Sequence, residues 1–65
     1  MLIASMDAPE IHNWIVNASD RAGSFLSHFA LAALHADAAN YAILRPVVMA
    51  LRDKYPDYDL PASNV

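Results

Sequence analysis

"NWIVNASDRAGSFLSHFALAALHAD", residues 13–37, decides the fold. Its apolar spacing is helical, and its polar residues say where one helix gives way to the next. Ser19 is the N-cap candidate for a main helix, because a hydroxyl there can accept a bond from an orphan first-turn amide, worth about 1 kcal/mol. Asp20 follows it and complements the positive end of the helix dipole. A helix over about 20–36 is predicted from that cap. At roughly 100° per residue, Ala22, Phe25, Phe29, Ala32, Ala33 and Ala36 fall on one side, with Leu26 at its edge. Asp20, Ser24, Ser27, His28 and His35 fall opposite, and Leu31 and Leu34 lie among them. Two leucines on a polar face imply a second buried surface. Leu31 and Leu34 are therefore assigned to an oligomer interface, and the chain is expected to be a homo-oligomer.

Working outward, Asp37 caps a next helix over about 38–54 after almost no loop, which makes the two an antiparallel helical hairpin. Asn40, Leu44, Val47, Val48, Leu51 and Tyr55 keep the helical period across Pro46. That continuity predicts a kinked but unbroken helix, although an interior proline removes a backbone bond. Upstream, Asp7 and Glu10 match a capping box and Pro9 suits a first turn. Ile11, Trp14 and Ile15 then predict a short N-terminal helix over about 8–17, packed across the hairpin. The expected fold is all-α, one small helical domain over 1–65 with 1–6 and 57–65 as flexible tails. The pair resembles in length a tetratricopeptide unit, but one unit without repeats cannot bury its own face.

Composition narrows the function. At 65 residues the chain is one domain, and a hydrophobic fraction of 57% is rich for that size. Surplus apolar surface on a small body usually ends in a partner interface. Seven acids against four bases leave a net charge of −3, the wrong sign for a nucleic-acid binder. A helix-turn-helix nucleic-acid module therefore ranks last. No apolar run reaches the roughly 20 residues that cross a bilayer, and "MLIAS" is too short for a signal-peptide core. With no cysteine present, a cytoplasmic protein without membrane contact is expected.

No catalytic group is assigned. Asp20, Ser24 and His28 recur at four-residue steps, but a triad needs the histidine between serine and acid. Here serine is central, and no oxyanion hole accompanies it. His28 and His35 lie two turns apart, roughly 10 Å, too far to share one metal, so neither metal nor cofactor is expected. Tyr41, Arg45, Val48 and Arg52 form a contiguous stripe beside the apolar face of the last helix. Arginine next to an aromatic ring can grip a phosphate or stack on a base. Equally, Arg45 and Arg52 can pair with Asp20 or Asp37 of a neighbour, or lie solvated over apolar surface. Arg21 borders the apolar face, and Trp14 supplies a second ring. Trp14, Arg21, Tyr41, Arg45 and Arg52 are accordingly the candidate ligand- or partner-binding residues. Gly23, costing about 1 kcal/mol against alanine inside a helix, is expected to admit a close neighbour, with Trp14 the obvious one.

At "DRAGSFL" (20–26), "NYAILRP" (40–46) and "KYPDY" (54–58) the chain resembles a group of small helical accessory proteins encoded by phages and prophages. The resemblance spans about residues 12–58 and leaves 1–11 outside. It implies a non-enzymatic accessory role during infection, in the host cell cytoplasm. Two targets follow from it: a host defence protein, bound as an anti-CRISPR binds, or an anionic signalling nucleotide, held by a homo-oligomeric sponge. The sponge requires Arg45 and Arg52 to be without intramolecular partners, with Tyr41 or Trp14 near enough to stack a base.

Overall fold

The structure, a computed structural model, describes residues 3–59. A single 3-10 turn at Ala4–Met6 precedes three helices, α1 (Pro9–Arg21), α2 (Ser24–His35) and α3 (Ala38–Lys54), and a second 3-10 turn follows at Pro56–Asp59. No strand occurs among the described residues. The all-α expectation therefore holds, while the helix boundaries move. Pro9 opens α1 as expected, but Ala8 is the N-cap, without a side-chain cap. The expected capping box is not formed, because the Asp7 carboxylate takes the amide of Ala8 at 2.8 Å and turns inward.

Ser19 was expected to cap the main helix and does not. Its hydroxyl donates back to the Val16 carbonyl at 2.7 Å, so it satisfies itself inside α1. The helix runs on to Arg21, and the break falls at Ala22 and Gly23, both in extended backbone. Gly23 is the N-cap of α2, and a Cβ built there meets nothing within 4 Å. Gly23 therefore admits no close neighbour, and its role is to join two helices. Asp37 does cap α3, its Oδ1 accepting from the Asn40 amide at 2.9 Å. Helix α3 continues through Pro46. Pro46 and Ala42 are both exposed, so the Ala42 carbonyl that loses its donor can turn to water.

Packing is most extensive between α1 and α2, and the direct contact between α2 and α3 is slight. Small residues explain the first. Ala18, Ala30 and Ala33 are fully buried, and Ser27 Oγ crosses to the Ser19 carbonyl at 2.8 Å. A two-residue link brings the helices close enough that alanine, not phenylalanine, fits between them. The buried stripe of α2 is thus Leu26, Ala30 and Ala33, rotated from the expected one. Phe25 and Ala32, placed in the core by periodicity, are exposed, and Phe29 is only half-buried. In α3 the buried residues are Tyr41 and Val48. Leu44, Leu51 and Tyr55 pack against the core as expected, whereas Asn40 and Val47 are exposed.

Long-range bonds set the direction of α3. Residues 41 and 45 meet Asp7 just before α1, and the carbonyls of Tyr55 and Tyr58 meet Trp14 and Asn17 further along it. Helices α1 and α3 therefore point the same way, and Trp14, Ile15, Tyr41 and Val48 are the largest fully buried side chains.

Candidate partner-binding site

The most highly bonded polar group lies outside the stretch that periodicity singles out. Asp7 has a side chain only 2% exposed and collects four donors. Tyr41 Oη donates to its Oδ2 at 2.6 Å and the Ala8 amide to Oδ1. Arg45 grips both oxygens, Nε on Oδ2 at 2.8 Å and Nη2 on Oδ1 at 3.1 Å. The Arg45 bonds, helped by Tyr41 and Ala8 against the opposing effect of burial, hold the carboxyl at about 2. Burial first, then the bond to this carboxylate, pushes the Tyr41 hydroxyl well above its ordinary value. The bond to Asp7 likewise raises Arg45. The group is a clamp that fastens the N-terminal segment to α3.

A second set of bonds fastens the other end. Trp14 Nε1 donates to the Tyr55 carbonyl at 2.8 Å, and Asn17 Nδ2 to the Tyr58 carbonyl at 2.9 Å. Arg52 Nε donates to Asp59 Oδ1 at 2.7 Å. Residues 56–59, of which 57–59 were expected to belong to a tail, form a turn against α1, while 1–2 and 60–65 lie outside the described residues.

These geometries redistribute the five candidate ligand residues. Trp14 and Tyr41 are fully buried, with their polar atoms bonded inside the chain. Arg45 and Arg52 face Asp7 and Asp59 of the same chain, not Asp20 or Asp37 of a neighbour. The stripe does not form one open pocket, because Tyr41 and Arg45 are held on Asp7 while Arg52 is held on Asp59. Arg21 alone of the five is exposed, its guanidinium 5.8 Å from the centre of the Tyr58 ring. Of the assigned interface pair, Leu31 is 41% exposed, whereas Leu34 packs against the core. Asp20 and Ser24 fall on different helices, and His28 Nδ1 meets the Ser24 carbonyl of its own helix.

An open site does exist beside Arg21. The break between α1 and α2 leaves a cleft of about 300 Å³ lined by Ala22, Gly23, Ser24, Phe25, Leu26, Tyr55 and Tyr58. Phe25 stands at its rim with 67% of its surface exposed. Arg21 lies over Tyr58, and the Lys54 ammonium is 5.5 Å from the centre of the Tyr55 ring. The Gly23 N-cap supplies no side-chain acceptor, so the first-turn amides of α2 lack one from the chain at this position. Tyr55, Tyr58 and Phe25 went unmarked as site residues because periodicity placed Phe25 in the core and Tyr58 in a tail.

The chain matches no family model, no curated protein and no solved structure. No described helix is long and apolar enough to cross a membrane. What defines the described residues is an all-α body of three helices and this aromatic cleft.

Proposed function

We propose that the protein is a non-enzymatic accessory binding protein of phage type, acting in the host cytoplasm by occupying a surface of a host defence protein. The observation that supports this reading is Phe25, a large apolar side chain 67% exposed at the mouth of a tyrosine-lined cleft. Tyrosine and arginine are enriched among residues that dominate binding energy, and Arg21, Tyr55 and Tyr58 surround Phe25. The partner in view presents an apolar side chain to the cleft and leaves a polar rim around it. The host-defence assignment rests on the resemblance at residues 20–26, 40–46 and 54–58. A nucleotide sponge is less well supported, since Arg45 and Arg52 would first have to leave Asp7 and Asp59.

The test is capture from host lysate by the tagged chain, side by side with Phe25→Asp and with analysis of co-purifying small molecules. A host protein held by the wild type and lost with Phe25→Asp is expected. Phe25 is exposed, so helicity should not change. A nucleotide in the eluate, or a protein held equally by both chains, would sink the cleft reading.

A further inference from the structure

The outward face of α3 carries no charge for most of its length. Ala39, Ile43, Pro46 and Ala50 follow the four-three-four spacing of a helix-packing seam, and Ala42 and Val47 flank it. All six are exposed, Ile43 by 72% and Val47 by 46%. The stripe is about 16 Å long at 1.5 Å per residue. The two arginines of the same helix turn away from it, bound to Asp7 and Asp59.

We propose that this face is a self-association surface, on which α3 of a second copy packs antiparallel about a two-fold axis near residues 44 and 45. This goes beyond the cleft, which lies elsewhere on the chain, and uses neither Leu31 nor Leu34. The occupant follows from the charges at the two ends of the stripe. Asp37 stands exposed at the amino end, and Asp53 and Lys54 stand exposed at the carboxyl end. In the antiparallel pair, Lys54 of each copy lies at the amino end of the facing α3, apart from its own counterpart. Asp53 comes beside the first turn of the facing α3, where the helix dipole favours an acid. A parallel pair would set Asp37 on Asp37 and Lys54 on Lys54. Two alanines on the seam, Ala39 and Ala50, let the axes approach toward the short end of the usual 8 to 10 Å, about 8 Å. Ala42 sits at the rim, so its proline-freed carbonyl keeps its water.

An interface of one helix pair is small, and the dimer is expected in the micromolar range. Sedimentation equilibrium over roughly 1 to 200 μM should show the average mass climbing from 7.1 kDa toward twice that value. Ile43→Lys lies on the surface and should leave the circular dichroism unchanged while weakening association about a hundredfold, since both copies lose a buried isoleucine. Val47→Lys serves as a second variant if the first folds poorly. Orientation is read with introduced thiols, which are unambiguous because the chain has no cysteine. Oxidising a mixture of Ala39→Cys and Ala50→Cys should give the mixed disulfide, whereas Ala39→Cys alone should stay uncrosslinked. A mass fixed at 7.1 kDa across the range overturns the proposal. So does a dimer that survives both lysine variants, or one that crosslinks through Ala39→Cys alone.

Discussion

Asp7 is the residue on which the N-terminal segment hangs. A carboxyl drawn from its ordinary 3.8 to about 2 represents about 2 kcal/mol of stability. The sign follows from linkage: the folded value lies below the unfolded one, so the contribution is complete above about pH 4 and is lost as pH falls through about 2. Urea unfolding of wild type and Asp7→Asn should differ by about 2 kcal/mol at pH 7, with the gap closing toward pH 2. Equal acid sensitivity of the two chains would show that the clamp is not what acid breaks. Tyr41→Phe removes one of the four donors to Asp7. It should cost about 1 kcal/mol and move the acid transition of the chain upward. None of this was legible locally, because the Arg45 that grips Asp7 lies 38 residues along the chain. An aspartate between Met6 and Ala8 offers periodicity nothing to act on, and the capping box with Glu10 was its nearest local meaning.

At the scale of the element, local signals were right about helix type and about the cap that had no competitor. Asp37 precedes a helix and has no other bond to make, so it caps, and Asp37→Ala should cost about 1 kcal/mol in thermal unfolding. Ser19 looks equally like punctuation, yet it had a stronger use, as did Asn17 nearby: Ser19 bonds the Val16 carbonyl and Asn17 reaches Tyr58. Once those groups are satisfied elsewhere, nothing stops α1 before Ala22. Helix α2, like α1, has no side-chain cap. Gly23 has extended backbone that any residue adopts, and open space where a side chain would sit. Gly23→Ser should therefore supply the missing acceptor and restrict the unfolded chain, stabilising by about 0.5 to 1 kcal/mol. A rise in melting temperature of several degrees, about 4, would register it. A fall would mean that the glycine is needed for a close contact after all.

For the whole molecule, the informative fact is where the ends go. A radius of gyration of 10.8 Å is that of a compact globule, about 11 Å for a chain this long. Periodicity located the helices but could not say which faces meet, because an alanine-lined contact and a phenylalanine-lined contact have the same period. It therefore put Phe25 inside and left the cleft unseen. What closes the body is the C-terminal turn at Pro56–Asp59, laid against α1 by Asn17 and held to α3 by the Arg52–Asp59 pair, with Trp14 bonding the Tyr55 carbonyl just before it. Trp14 is the single tryptophan, fully buried where the end of α3 meets α1. If the turn belongs to the same cooperative unit as the helices, Trp14 fluorescence and helical circular dichroism should trace one coincident unfolding curve. Asn17→Ala leaves the Tyr58 carbonyl without its donor and should shift both probes together by about 1 to 2 kcal/mol. Should the fluorescence move at lower denaturant than the helical signal, the turn would be a separate, weaker unit. The aromatic cleft that Tyr55 and Tyr58 help to line would then open before the helices melt.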